Sequence, residues 1–306
     1  MLHQIKGLHH VTSMAGDARA NNAFFTQTLG LRRIKKTVNF DAPDVYHLYY
    51  GDEVGTPGSV LTYFPFPGVP KGRSGTGEVG VTGYAIPKGS MGYWKDRLAP
   101  HMMAEDERFG DATLTFKGPD GELFSLVEAD GDTRPGWTGN GVGADEAIRG
   151  FHSASMRLQD DGAMGELLTF MGYEKAEKDG NTTRYAIADG NEASRIDVET
   201  LPGAPAAQQG SGSVHHIAFA VEDRAAQVEV RQALMDTGYQ VTPIIDRDYF
   251  YAIYFRTPGG VLFEIATNEP GFARDENVAN LGEALKLPSQ HEPLRAGIEA
   301  ILPPIN

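Results

Sequence analysis

The sequence contains no cysteine, and this absence excludes disulfide bonds, thiolate nucleophiles and thiolate metal ligands. Any metal site must therefore be built from His, Asp, Glu or Tyr side chains. No stretch approaches the roughly eighteen consecutive apolar residues that a membrane-spanning helix requires. The first residues, MLHQIK, also lack the apolar segment of a secretion signal. We therefore expect a soluble, cytoplasmic protein.

Positive charge is scarce, with 27 Lys and Arg residues against 41 Asp and Glu residues and a net charge of −14. Such a chain repels phosphate backbones and anionic lipids, so neither nucleic acid nor a membrane is an expected partner. A hydrophobic content of 41% suits an ordinary globular core, and 306 residues exceed one average domain. A small-molecule partner fits this composition, and assembly into a homo-oligomer is compatible with it.

Two stretches of the chain are rough copies of each other. GLHHVT at 7–12 corresponds to SVHHIA at 213–218, and TPGSVL at 56–61 corresponds to TPGGVLFE at 257–264. Each copy begins with a pair of histidines on a predicted strand and continues, about forty residues later, into a turn followed by another strand. The second copy alone ends on a carboxylate, Glu264.

Four segments share one outline, in which a short apolar strand and an amphipathic helix precede two or three further strands. We predict an α+β fold of four βαβββ modules in two domains, with curved mixed sheets that form cups; the strand–helix alternation alone would not exclude an α/β fold. Residues 131–148 are rich in Gly and Pro and are predicted to be a linker. The predicted domains are residues 1–130 and 149–270, and a tail, 271–306, follows with a helix from Glu292 to Leu302.

His10, His216 and Glu264 are candidate metal ligands, because two imidazoles and one carboxylate leave coordination positions free for substrate. Adjacent strand residues point to opposite faces, so one histidine of each pair, His9/His10 and His215/His216, is expected to face the metal. A second triad stays open: His152 begins the third module much as His216 begins the fourth, so His152, His216 and Glu264 would form a site within the C-terminal half.

The histidine strands, the TPGGVLFE turn and strand, and the stretches YHLYY at 46–50, RGFHS at 149–153 and LPSQHE at 287–292 resemble the vicinal oxygen chelate superfamily. That superfamily contains glyoxalases and ring-cleaving dioxygenases. The resemblance covers essentially the whole chain and is strongest to the branch of hydroquinone ring-cleaving dioxygenases, such as 2,6-dichlorohydroquinone 1,2-dioxygenase.

The resemblance implies an Fe(II) site, with Mn(II) as an alternative metal, formed by the first and fourth modules together. The substrates would be a small hydroquinone-type aromatic compound and O2. A glyoxalase-like isomerase or lyase, a catechol extradiol dioxygenase and a metal-free binding module are the alternative functions. The residues that the resemblance implies are the metal ligands His10, His216 and Glu264, with Arg247, Tyr254, His9, His215 and Thr12 around them.

Several other residues receive a structural interpretation. His47, in a tyrosine-rich strand, is predicted to belong to the core. The aromatic run at 63–66 is also predicted to be core, although Tyr63 aligns with Glu264 and would then line the pocket. Ser125 aligns with Glu264 in the second module, so the second and third modules are expected to form a cup without a metal.

Overall fold

The computed structural model describes residues 1–305, which form two eight-stranded sheets with five short helices around them. Among these residues no helix is long and apolar enough to cross a membrane. The strands are β1 (Leu8–Ala15), β2 (Arg32–Val38), β3 (Tyr46–Gly51), β4 (Val60–Pro65), β5 (Glu78–Ile86), β6 (Met102–Arg108), β7 (Asp111–Lys117), β8 (Leu123–Glu128), β9 (Gly150–Leu158), β10 (Glu174–Asp179), β11 (Thr182–Ala186), β12 (Arg195–Thr200), β13 (Val214–Val221), β14 (Ile245–Asp246), β15 (Phe250–Arg256) and β16 (Leu262–Pro270).

The helices follow local sequence signals. The side chain of Asp17 accepts a hydrogen bond from the backbone N–H of Ala20 and begins the first helix, which continues as a π-helical turn at Phe24–Thr28 and ends before Gly30 at φ +73°. In the tail, a 3₁₀ turn at Glu292–Leu294 leads into the last helix. The helices are α1 (Ala18–Ala23), α2 (Met91–Leu98), α3 (Gly162–Phe170), α4 (Arg224–Asp236) and α5 (Arg295–Ile301).

Each sheet combines one module from each half of the chain. One sheet has the strand order β14-β15-β16-β13-β1-β4-β3-β2, and the other has the order β10-β11-β12-β9-β5-β8-β7-β6. The first and fourth modules therefore share one sheet through the antiparallel pair β1 and β13, and the second and third modules share the other through β5 and β9. The α+β plan of four modules is confirmed, and the division into domains at 1–130 and 149–270 stays a prediction, because each sheet takes one module from each.

The core lies between the sheets and the helices that cover them. Trp94 and Leu98 of α2 are fully buried, as are Val230 and Leu234 of α4, at the spacing of one helical face. Each such side chain contributes about 1.5–3 kcal/mol on burial.

The C-terminal tail is anchored along β2. Lys35 is fully buried, and its ammonium group lies 2.6 Å from Asp275 and 2.5 Å from Glu276. The imidazole of His291 lies 2.9 Å from the backbone carbonyl of Phe40, in the loop between β2 and β3. The tail thus holds in place a loop that borders the site described next.

Candidate metal centre

Strands β1 and β13 lie side by side and bring His10 and His216 together. Their Nε2 atoms are 3.3 Å apart, and Glu264 from β16 completes the group with Oε2 at 3.4 Å from His10 Nε2 and 2.9 Å from His216 Nε2. Within residues 1–305, these three form the one group of three or more His and acidic side chains whose ligand atoms converge, all within 4.8 Å of one another.

A bulge in each strand lets both histidines of a pair lie near the site. On β1, Leu8 pairs with Phe219 and His10 with the adjacent Ala218, so His9 is an extra residue. On β13, the shift between Thr12/His216 and Ser13/Val214 makes His215 the extra residue. Such bulges re-aim side chains that a regular strand would turn away.

The extra histidine of each pair contacts the inner one ring to ring. Nδ1 of His9 lies 2.9 Å from Nδ1 of His10, and Nδ1 of His215 lies 2.8 Å from Nδ1 of His216. Burial, followed by the neighbouring His10, lowers the pKa of His9 from 6.5 to about 3. Burial and His216 lower the pKa of His215 to about 4. Both outer rings are therefore neutral and can accept a hydrogen bond from the Nδ1–H of the inner ring.

The tautomer of His10 and His216 that carries its hydrogen on Nδ1 suits a metal ligand. A histidine that binds a metal through Nε2 carries its hydrogen on Nδ1, and a partner for that hydrogen fixes the orientation of the ring. His10 and His216 both present Nε2 to the shared centre and Nδ1 to a neutral histidine. Two equivalent arrangements on two strands thus leave the Nε2 lone pairs of both imidazoles directed at the shared centre, where they could bind one cation.

The carboxylate of Glu264 needs a positive charge nearby. Its side chain is fully buried, and neither oxygen has a well-formed hydrogen bond among the described residues. Burial raises the pKa of Glu264, but His10 and His216 more than offset this and hold it well below 4.5. A proton on an imidazole can balance this buried anion, and a divalent cation can replace that proton.

The separations fit a metal ion. Ligand atoms at about 2.1 Å from a metal lie about 3 Å apart when they occupy neighbouring positions of an octahedron. The three observed separations are 3.3, 3.4 and 2.9 Å. The residues present therefore fit a metal bound by two imidazoles and one carboxylate.

His152 lies away from this group, on β9 of the other sheet, where its Nδ1 is 3.3 Å from the hydroxyl of Ser153. By strand register it is Ser153, not His152, that corresponds to His216, since Ser153 pairs with Gly83 as His216 pairs with Thr12. The geometry thus favours the triad with His10 over the alternative triad with His152.

The second cup is filled by an ion pair. In the sheet of the second and third modules, Asp197 of β12 occupies the position equivalent to Glu264. Arg184 of β11 occupies the position equivalent to Tyr254, because Arg184 pairs with Asp197 across the strands as Tyr254 pairs with Glu264. The guanidinium of Arg184 donates to both carboxylate oxygens of Asp197 at 2.8 and 3.0 Å. The space that remains is about 20 Å³, which is room for about one water molecule.

The first module has no carboxylate at the position equivalent to Glu264. Thr12 pairs with Thr62 on the parallel strands β1 and β4, as Ala218 pairs with Glu264 on β13 and β16. The counterpart of Glu264 is therefore Thr62, and the predicted alignment with Tyr63 was wrong by one residue, because Thr62 follows Thr56 of the TPG motif by one residue fewer than Glu264 follows Thr257. The hydroxyl of Tyr63 faces the core instead and donates to Glu122 at 2.8 Å.

A cavity of about 420 Å³ adjoins the triad, within the range of small-molecule sites. Its wall is rich in aromatic side chains, and the prediction that Phe64 and Phe66 belong to the core was wrong, since both line it. The lining residues are His10, Met14, Asn39, Phe40, Asp41, His47, Tyr49, Phe64, Phe66, Gln209, His215, His216, Arg247, Phe250, Tyr254, Leu262 and Glu264.

Arg247 and Tyr254 face this cavity together. The Nε of Arg247 lies 3.3 Å from the hydroxyl of Tyr254, and one terminal nitrogen lies 3.5 Å from Asp41. Burial raises the pKa of Tyr254, with the charge of Glu264 adding to the effect, so the phenol keeps its proton. The cavity thus presents a fixed cation and a protonated phenol beside the triad.

Sequence reasoning missed His47 and Tyr49 as cavity residues. Both lie on β3, two positions apart and on one face of the strand, and both are buried. The imidazole of His47 lies 2.9 Å from the hydroxyl of Thr62 and 2.8 Å from that of Tyr49. The strand's alternation placed them on one face, but nothing in it distinguished a face that lines a cavity from a face in the core.

The chain is similar to known proteins over nearly its whole length. The family model of the glyoxalase/bleomycin resistance protein/dioxygenase superfamily matches residues 154–265. The chain is 42% identical to "Putative ring-cleaving dioxygenase MhqO" of Bacillus subtilis (strain 168), over 99% of this chain and 98% of that protein. It is 37% identical to chlorohydroquinone/hydroquinone 1,2-dioxygenase of Sphingobium indicum, over 94% of this chain and 93% of that protein.

The fold matches a crystal structure over its full length. The structure of a "putative dioxygenase" from Bacillus subtilis superposes with a TM-score of 0.96 at 42% identity, and the match covers 99% of this chain and 98% of the other. The arrangement of all four modules is therefore shared with that protein.

Proposed function

The chain belongs to the glyoxalase/bleomycin resistance protein/dioxygenase superfamily, and from that premise we propose that it is an Fe(II)-dependent ring-cleaving dioxygenase that acts on hydroquinone-type aromatic compounds with O2. The observation that carries the proposal is the convergence of His10, His216 and Glu264 beside an aromatic cavity. Its relatives are named for the same type of reaction, which supports the proposal.

The donor set selects the class of metal chemistry. Two imidazoles and one carboxylate are the ligands of non-haem Fe(II) oxygenases, and they leave positions for substrate and O2; Mn(II) accepts the same donors. When bound, the iron would act as a Lewis acid toward a ring hydroxyl and allow electrons to pass between the ring and O2.

The chain's own residues bind and orient the substrate in this proposal. The guanidinium of Arg247 attracts a phenolate oxygen, and its contacts with Tyr254 and Asp41 hold it toward the cavity. Tyr254 keeps its proton at neutral pH and donates it in a hydrogen bond to an oxygen of the substrate. Phe64, Phe250 and their aromatic neighbours exclude water and pack against the ring.

The outer residues act on the ligands. His9 and His215 orient the inner imidazoles through their Nδ1 contacts, and Thr12 ties β1 to β4 through its 2.8 Å contact with Thr62. Thr62 also bears on the alternative of a glyoxalase-like isomerase, which would use a fourth protein ligand at this position. A threonine hydroxyl already engaged by Thr12 and His47 makes a poor fourth ligand, and this favours the dioxygenase.

Oxygen uptake tests the proposal. Protein loaded with Fe(II) without oxygen is mixed with aerated buffer and either substituted hydroquinones or catechols, and the products are identified by mass spectrometry. We expect stoichiometric uptake and ring-opened products with hydroquinones. Uptake with catechols alone would assign the protein to catechol extradiol dioxygenases, and iron binding without uptake would refute the proposal.

A further inference from the structure

A chain of four side chains runs from the cavity wall into the sheet. The hydroxyl of Tyr49 lies 2.8 Å from Nδ1 of His47, and Nε2 of His47 lies 2.9 Å from the hydroxyl of Thr62. The hydroxyl of Thr62 lies 2.8 Å from that of Thr12. Strand register places Tyr49, Thr62 and Thr12 opposite one another on β3, β4 and β1.

The hydrogen atoms of this chain can be counted. Burial lowers the pKa of His47 well below 6.5 and raises that of Tyr49 well above 10, so the imidazole is neutral and the phenol is protonated. The four groups then carry one hydrogen each, whereas they make three contacts. One hydrogen is therefore not used in a contact among the four side chains.

Three arrangements satisfy the contacts, and they differ in which group has the spare hydrogen. If Tyr49 donates to His47 and each group donates onward, the spare hydrogen is on Thr12. If His47 and Thr12 both donate to Thr62, it is on Thr62. If Thr12 donates to Thr62, Thr62 to His47, and His47 to Tyr49, it is on Tyr49.

The cost of a buried donor selects among these arrangements. Thr12 and Thr62 are fully buried, and within the described residues neither hydroxyl has an acceptor other than these four side chains. A spare hydrogen on either would be left without a partner, which is costly. Tyr49 is equally buried, but it lines the cavity, which Thr12 and Thr62 do not, so a ligand bound there can accept its hydrogen. The favoured arrangement therefore has the hydroxyl of Tyr49 donating into the cavity.

We propose that Tyr49, oriented by His47, donates a hydrogen bond to a second oxygen of the substrate ring and thereby selects rings that carry an oxygen remote from the one held beside His10, His216 and Glu264. Tyr49 belongs to β3, which is separated from β1 by β4, so it lines a different part of the cavity wall from the strands β1, β13 and β16 that carry the triad. This inference rests on the proposed function and names a determinant of its substrate class.

Ligand binding without oxygen tests the inference. Fe(II)-loaded protein is titrated by calorimetry with hydroquinone, with 4-methylphenol, which has no oxygen at the para position, and with catechol, whose hydroxyls are adjacent. For Tyr49→Phe we expect a three- to tenfold weaker Kd for hydroquinone, the range for loss of one neutral hydrogen bond, and roughly unchanged Kd values for the other two.

Two further variants make the result interpretable. Tyr50→Phe is the matched control, because the hydroxyl of Tyr50 donates to Asn21 at 3.0 Å on the opposite face of β3; it should leave the ratio of the hydroquinone and 4-methylphenol Kd values unchanged. His47→Phe removes the group that orients Tyr49 and should lower the preference for hydroquinone in the same direction, which keeps the inference testable if Tyr49→Phe fails to fold.

The inference would be overturned if Tyr49→Phe weakened the binding of hydroquinone and of 4-methylphenol equally, or if it changed neither Kd. A wild-type protein that binds both equally would also overturn it, while ring cleavage would still support the proposed function. Failure of the wild-type protein to bind any of the three rings would count against the proposed function itself.

Discussion

The burial of Glu122 can be tested through the pH dependence of the free energy of unfolding. Burial raises the pKa of this carboxyl from 4.5 to about 7, more than its hydrogen bonds lower it. The hydroxyl of Tyr63 donates to one of its oxygens at 2.8 Å, and the backbone N–H of Asp120 donates to the other at 3.0 Å. Glu122 is 6% exposed, so solvent screens this effect little.

The sign follows from proton binding. Between pH 4.5 and 7 the folded protein retains a proton on Glu122 that the unfolded chain has lost. Stability therefore falls as the pH rises through this window. With the two pKa values of 7 and 4.5, the cost in free energy of unfolding grows from about 1 kcal/mol at pH 5 to about 3 kcal/mol at pH 8.

Glu122→Gln removes this titration. The substitution also loses the hydrogen bond from Asp120, but that loss is about equal at both pH values and cancels in the comparison. We expect the free energy of unfolding of the variant, relative to wild type, to rise by about 2–3 kcal/mol between pH 5 and pH 8. Urea unfolding of metal-free protein at both pH values measures it.

The control is Glu177→Gln, which removes one negative charge from the exposed edge strand β10. A difference between Glu122→Gln and wild type that is the same at pH 5 and pH 8 would refute the reasoning. It would mean that Glu122 ionises in the folded protein as readily as in the unfolded chain.

Three further predictions concern the metal centre and the tail. His10→Ala should abolish stoichiometric iron binding whereas His152→Ala should not, as measured by metal analysis after gel filtration; the reverse result would transfer the ligand role to His152. His215→Ala should weaken metal affinity about 10- to 100-fold, measured by competition with a chelator, because the ligand ring loses its orienting partner. Lys35→Met should leave two acids beside an apolar group, destabilise the protein by about 3–5 kcal/mol and speed proteolysis within 271–306; unchanged proteolysis would show that the ion pairs do not hold the tail.

The sequence predicted the modules and the histidine strands, because each depends on a local pattern that recurs along the chain. The candidate ligands that the structure brings together were selected from two possible triads by the family resemblance, because the pattern alone left both open. It misplaced Tyr63 because register depends on the length of a turn, and a shift of one residue moves a side chain to the other face of its strand. The result is that Thr62 occupies the position equivalent to Glu264, and Tyr63 lies in the core.

Other features depended on tertiary packing. The bulges at His9 and His215 arise from pairing between β1 and β13, which are distant in the chain, so no local pattern announced them. His47 was assigned to the core because a buried strand histidine looks the same from the sequence whether its neighbours are a cavity or other side chains. The ion pair of Arg184 and Asp197 in the second cup was likewise invisible until the strands were paired.

The exchange of modules between the two sheets has a consequence for biosynthesis. His10 leaves the ribosome 206 residues before His216, and Glu264 follows later still. A nascent chain that has completed its first half holds one imidazole of the three donors and a β1 edge without β13 beside it. The three candidate ligands thus come together only when translation is nearly complete, and two half-length fragments could rebuild the site only by associating with each other.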